Sequence, residues 1–390
     1  MSPSNVSLQV KKVASFAILA AGSTAAWSQG GVTLYGLIDA GLMYTNNVTK
    51  GTSQGALIQT TSGEISGSRF GLRGYEDLGG SVHVIYVLES GFNVQNGKMS
   101  QNSRLFGRQS FVGIESEEFG TLTLGRQYDS ITDFVEPLSG VSGTLGDFGF
   151  SHPFDNDNFD HSVRSNNAVK YSTTNYRGLR FGGTYAFSNN QGFANNRAYS
   201  FGAAYRKGPL HIAAAYLQVN ASNSTTNLTG AIDTGESVSN GVGGFEVASE
   251  VQRTAAAAVT YDIAGATAGF AYSHSQYVNT LSFGSNHGEV RFDNFELNVK
   301  YGLTRSVSLG GSYTYTDGLV TQSTTFDAHP KWNQVNLQTV YSFSKRTDFY
   351  AEAMYQHVSG RGYAAYINGS GGASSSSSQF VGTVGMRTRF

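Results

Sequence analysis

The amino-acid sequence predicts an all-β chain: a sixteen-stranded antiparallel transmembrane β-barrel with short turns on one rim, long loops on the other and an inward-folded third loop. Three observations carry that expectation. Apolar and polar residues alternate with a period of two in segment after segment, connectors alternate between short and long, and tyrosines recur at strand ends on the apolar face. Composition agrees. Glycine is 49 of 390 residues, proline only 5, aromatic residues 13% and charged residues 14%, against roughly 25% charged in an ordinary soluble domain. Cysteine is absent, which excludes disulfide scaffolds, thiolate-held metals and thiol nucleophiles. A net charge of −1 gives a nucleic-acid partner no electrostatic support. No uncharged apolar run reaches the ~18–20 residues of a membrane-crossing helix.

The chain starts with an address. Lys11 and Lys12 precede an apolar run at 13–22, and Ala26-Trp27-Ser28 is a small-x-small cleavage site. The expected division is a signal peptide at 1–28, cut between Ser28 and Gln29, and a barrel domain at 29–390.

In the first strand Val32, Leu34, Ile38, Ala40 and Leu42 share one face, and Thr33, Tyr35 and Asp39 the other, which turns Asp39 inward. On the third, Val82 and Val84 flank an inward His83. The same alternation runs through 180–187, 295–301 and 335–341. Short connectors with turn chemistry fall at 76–80, 115–120, 175–178, 206–209, 262–265, 303–306 and 344–347. Long polar stretches lie near 45–65, 93–103, 127–167, 188–197, 218–252, 274–291, 316–331 and 357–379. Seven short and eight long connections join sixteen strands, and an even number lets the first and last pair antiparallel and remove the sheet edges. Tyr205, Tyr261, Tyr301 and Tyr341 each end a strand just before a short turn, as an interfacial girdle requires. The inner faces, rich in Ser, Asn and Thr, suit a water-filled lumen.

Four segments, GVTLYGLIDA at 31–40, SRFGLRGYEDLGG at 68–80, FGRQSFVG at 106–113 and GTLTLGRQYD at 120–129, resemble the general diffusion porins of Gram-negative outer membranes, beta-proteobacterial type. The resemblance spans the chain after residue 28, with the motifs in the family's order. It implies export to the outer membrane, a homotrimer set in outer-membrane lipids, periplasmic short turns and external long loops. It also implies passive diffusion of small hydrophilic solutes and ions, with no cofactor. The last strand ends on Phe390; in the family a terminal aromatic is a signal to the outer-membrane assembly machinery.

The third long stretch holds Ile131, Phe134, Val135 and Leu138, more apolar mass than a free surface loop carries. At ~100° per residue Asp129, Asp133 and Glu136 gather on one side and those apolar residues on the other, with Pro137 ending the helix near Glu136. The expectation is a two-turn helix whose apolar side docks on the wall and whose acids look across the pore. Opposite them, Phe70 and Leu72 point outward, so Arg69 and Arg73 point inward; an arginine in mid-membrane lipid costs about 2–4 kcal/mol. Lys170 and Arg180 point inward by the same parity. For Arg104 and Arg108 the facing stays open, because Phe106 shares their parity. The resemblance assigns the basic side of an eyelet to Arg69, to Arg104 or Arg108, and to Arg164. Acids facing arginines would set a field across the aperture.

Other readings need features the sequence lacks or leaves weak. A barrel hydrolase needs a Ser/His or Asp/His pair facing lipid or the outer rim, and none appears at matched height. The G-x-S-x-G match at 51–55 has no strand–turn–helix context. The acidic run at 155–160 has Asp160 where a calcium loop needs glycine, and the histidines lack metal spacing. A substrate-specific channel or adhesin using the stretches at 218–252 and 357–379 is the alternative.

Overall fold

The computed structural model describes residues 30–146, 148–233, 247–323 and 325–390; the proposed cleavage site at Ser28 and Gln29 lies outside the described residues. The first strands are β1 (Gly31–Lys50), β2 (Ser53–Ser62), β3 (Arg69–Gly79), β4 (Val82–Gly91), β5 (Gln109–Ser116) and β6 (Gly120–Gln127). The next are β7 (Ser165–Ser172), β8 (Leu179–Ala186), β9 (Arg197–Lys207), β10 (Leu210–Asn220), β11 (Ser249–Ile263) and β12 (Ala266–Thr280). The last are β13 (Gly288–Gly302), β14 (Val307–Val320), β15 (Lys331–Ser342), β16 (Thr347–Ser359) and β17 (Ser378–Arg389).

These seventeen segments make sixteen staves of a closed antiparallel barrel. β2 and β3 are two halves of one stave: β3 pairs with the first half of β1, from Gly31 opposite Tyr75 to Leu37 opposite Arg69. β2 pairs with the second half, from Ala40 opposite Ser62 to Lys50 opposite Ser53. β17 returns to β1, with Leu37 opposite Arg389 and Thr45 opposite Val381. Closure leaves no edge to aggregate. The last residue completes it, for Phe390 and Gly36 exchange both backbone hydrogen bonds at 3.0 and 3.1 Å. A Cβ on Gly36 would lie 2.5 Å from the Phe390 ring, so glycine makes room for the terminal aromatic.

Parity divides the wall into an outer and an inner face. On β1 Val32 and Leu34 are 66% and 60% exposed, whereas Asp39 and Met43 are buried inside the barrel. Tyr261, Tyr301 and Tyr341 stand exposed on the outer face beside short turns, and Tyr205, opposite outward Ile212, shares that face.

One expected loop is absent. The polar stretch at 45–65 is a hairpin turning at residues 51–52, because β-favouring residues continue on both sides. The break falls later, at 63–68, where the chain leaves the wall and enters the lumen. Gly63 takes φ +84°, a left-handed conformation that costs glycine little. Asp39 holds this segment, accepting from the Ser66 amide at 3.0 Å through Oδ2, while its carbonyl accepts from the Gly63 amide at 3.0 Å. Stave height also varies: β5 to β8 have 8 residues each and β11 to β13 have 15. The taller strands absorb most of the polar stretch expected at 274–291 and the start of that expected at 316–331.

Candidate pore constriction

The third long loop, 128–164, lies inside the barrel. It opens with a wide helical turn, Ile131–Val135, followed by a tight one, Glu136–Leu138, in which Pro137 sits in the first turn where its missing N–H costs nothing. Ile131, Phe134, Val135 and Leu138 pack on Ala168, Ala186, Ala198, Ala213, Ala215 and Ala256 of the inner wall. Small inward residues here are clearance for the loop. Gly202 shows how close the contact is, since a Cβ there would meet the Phe134 ring at 2.7 Å.

Beyond this apolar seat the loop crosses the lumen on polar pins. Gly140 donates its amide to Glu296 at 2.7 Å, Lys300 donates to the Thr144 carbonyl at 2.9 Å, and Gln334 donates to the Gly149 carbonyl at 2.8 Å. Inward polar residues of β13 and β15 thus satisfy the backbone of a buried loop, which water cannot reach. That corrects the reading of these faces as lining a wet lumen. A charged pin is His152, fully buried, with Nδ1 2.6 Å from Asp157 of the same loop and Nε2 3.3 Å from Glu296 of the wall. Burial alone would push its imidazole down; the two carboxylates outweigh burial and lift it to about 10. Phe154 at the loop's far end stacks on Tyr366 and meets Trp332 and Phe283 edge-on. This aromatic cluster was not anticipated, and with Trp332 and Tyr366 at 1% and 3% exposure it is a core and not a solute track.

With the loop seated on one side, two chambers remain against β1, β3 and β4. The outer one, about 640 Å³, touches the 63–67 segment, residues 99–103, Asp160 and Arg164. The inner one, about 560 Å³, touches Tyr35, Arg73, Glu89, Arg389 and Phe390. The residues common to both are Arg69, Arg108, Glu136 and His161. These four mark the constriction.

Arg108 is the best-fixed group. Its Nε donates to Glu89 at 2.8 Å, and Nη2 reaches the Tyr128 hydroxyl at 3.0 Å and His161 Nε2 at 3.3 Å. Glu89 also accepts from the Tyr35 hydroxyl at 2.9 Å. Arg164 lies over the Tyr128 ring at 5.4 Å, and Arg73 over the Tyr35 ring at 5.4 Å. Among the described residues neither Arg69 nor Arg73 forms an ion pair with a carboxylate.

The expected acids do not act together. Asp129 is buried and turned into the loop, accepting from the Ile131 amide at 2.6 Å and from Asn158 at 2.8 Å; burial pushes its carboxyl up to about 6. Asp133 pairs with wall Lys170 at 2.6 Å. Only Glu136 reaches the constriction. Burial first, then Asp160, Asp155 and other loop acids, hold its carboxyl well above the usual range, while burial and nearby arginines press His161 well below its own. His161 Nδ1 and Glu136 Oε1 meet at 3.1 Å, and both shifts favour the uncharged forms of the pair. The widened helical turn spreads the three acids, so no acidic face looks across the pore.

Other placements differ from the sequence reading. Arg104 leaves the constriction, its guanidinium pairing with Asp233 of the loop after β10. Arg180 points inward but lies 6.0 Å from the Phe134 ring, under the loop. His83 faces its register partner Asp77 at 3.7 Å near a short turn and lines neither chamber. Glu89, Tyr128 and His161 were missed, and only the parity of Glu89 could have signalled its inward side. An Asp/His pair does exist on the outer face, His274 Nδ1 to Asp293 at 2.8 Å, and its third partner is the Tyr272 hydroxyl at 2.7 Å from Asp293.

Residues 14–361 match the family model described as Gram-negative porin. An outer membrane porin protein of Bordetella pertussis is 33% identical over 375 residues, covering 88% of this chain and 94% of that protein. Outer membrane porin protein 32 of Delftia acidovorans is 36% identical over 184 residues, 46% of this chain and 50% of that one. Among solved structures, the anion-selective porin from Comamonas acidovorans superposes with a TM-score of 0.71 at 21% identity, over 93% of this chain and 100% of that one. At that identity the superposition speaks for the fold.

Proposed function

The chain belongs to the Gram-negative porin family, a water-filled outer-membrane channel for passive diffusion of small hydrophilic solutes, and we propose that Arg69, Arg108, Glu136 and His161 set its aperture. The observation that carries this reading is that, among the described residues, these four line both chambers. Arg164 stands at the outer approach and Arg73 at the inner one.

The charge balance favours anions. Glu89 is spent on Arg108, Asp133 on Lys170, and Glu136 is held toward its neutral form, while Glu64 and Asp160 share the outer chamber with Arg69, Arg108 and Arg164. Among the described residues Arg69 and Arg73 form no direct ion pair, although Glu89 acts on Arg69, and both line a narrow passage where screening is weak. Anions cross with a favourable local potential, and cations meet a barrier. Conduction requires weak binding at several sites, so no energy coupling, cofactor or catalytic step enters the account. We further read the active form as a homotrimer. An outer membrane protein of Vibrio cholerae with this fold occurs in a trimer form. Phe390, seated on Gly36, is the natural place for assembly factors to read a finished strand.

The test is single-channel recording under a salt gradient. The reversal potential should report anion preference, and Arg69→Ala should reduce that preference by roughly threefold to tenfold, or ~0.6–1.4 kcal/mol. A cation-preferring parent, or an Arg69→Ala variant equal to it, contradicts the assignment.

A further inference from the structure

A third chamber lies off the aperture. It measures about 630 Å³, opens among the short turns under Leu145 of the third loop, and is lined by Lys300, Arg305, Lys345, Arg387, Arg389 and a single acid, Asp348. Asp348 is already consumed, accepting from Arg387 at 3.0 Å and from Arg389 at 2.9 Å. Lys300 donates to the Thr144 carbonyl, which fixes it without neutralising it. Among the described residues Lys300, Arg305 and Lys345 have no carboxylate partner. The five cations come from β13, from β17 and from two different turns, so a ligand touching several of them ties separate staves together.

Charge at this rim is segregated. The turn regions next to β3 and β5 carry Glu76, Asp77, Glu115, Glu117 and Glu118 with no lysine or arginine among them, and the basic chamber adjoins this acidic arc, its β17 separated from β3 by β1 alone. An anion arriving from the short-turn side is repelled from one arc and drawn to the other. A monovalent ion would engage one or two cations and leave. A solute with two or more closely spaced negative charges engages several at once, with charge-assisted hydrogen bonds stronger than neutral ones.

We infer that the inner mouth holds a second binding chamber, separate from the aperture, that takes polyvalent anions from the short-turn side. The inference rests on the channel reading. It shares Arg389 with the inner chamber at the constriction, so a bound polyanion sits beside the ion path and reduces current.

Single channels in potassium chloride, with inorganic pyrophosphate added to one compartment and then the other, test it. In each channel the half-blocking concentration should be about tenfold lower from one side, the difference that ~1.4 kcal/mol produces. Block is taken as a fraction of each variant's own open current. The sidedness should vanish in Arg305→Ala/Lys345→Ala and persist in Arg206→Ala/Lys207→Ala, whose basic turn lies outside the chamber. Arg69→Ala should alter ion selectivity and keep the sided block. Equal block from both sides, or sided block surviving loss of Arg305 and Lys345, overturns the inference and leaves the channel intact. Absence of any conductance overturns the channel reading itself.

Discussion

The two inner walls of this barrel are built by the same alternation and end in opposite states. On β7 to β12 alanines recur at the inward positions, and they disappear beneath the third loop. On β1, β3 and β4 they are Tyr35, Arg69, Arg73 and Glu89, and they face open chambers. A period of two says which side chains point inward and nothing about whether water or protein meets them. The difference is made by side-chain size. Small inward residues admit a loop, and large charged ones exclude it and leave a passage.

The covered wall should break first. His152→Ala leaves Asp157 and Glu296 buried without their cation, a loss of about 3–5 kcal/mol for a broken buried pair. The third loop should become cleavable by added protease, and single-channel current should become noisy. Raising the pH tests the same pin without a mutation. A histidine lifted from 6.5 to about 10 contributes its full stability below pH 6.5 and loses it as pH rises through about 10. Protease resistance of the loop should therefore fall between those limits, and a His152→Ala variant should lack this alkaline transition. Next in size is Ala215→Trp, which overfills the seat at a cost of about 1–3 kcal/mol and should displace the loop, changing conductance where an exposed outward substitution such as Leu337→Ala does not.

The bare wall gives the finest distinction. Glu136→Gln should change reversal potential by less than Arg69→Ala does at neutral pH, because burial and the neighbouring loop acids hold the carboxyl toward its neutral form. A shift as large as that of Arg69→Ala would show that Glu136 is ionised and that a two-sided field operates after all.

Much of the barrel was legible because strand direction, turn chemistry and lipid cost all act locally. Outward Val32 and Leu34, inward Asp39 and the girdle tyrosines follow from parity alone. What could not be read was decided by distant partners. Ser53–Ser62 looks polar yet pairs along β1, so a loop became a strand. Arg104 is drawn to Asp233, 129 positions away in sequence, and Asp129 turns back to hold the amides of its own helical turn. The polar residues of β13 and β15 read as solvent-facing, but the loop backbone they serve is unmarked by any side chain. The alanines of β10 and β11 were the available signal for a docked loop, since a wall facing water gains nothing from small apolar residues.

The chain has no cysteine, so a single introduced thiol reports its own surroundings. Arg69→Cys on the bare wall and Ala215→Cys on the covered one can be exposed to a bulky water-soluble thiol reagent during single-channel recording. The account predicts a stepwise fall in current for Arg69→Cys and no reaction for Ala215→Cys. Reaction at Ala215→Cys with silence at Arg69→Cys would put the passage on the other side of the loop and contradict it.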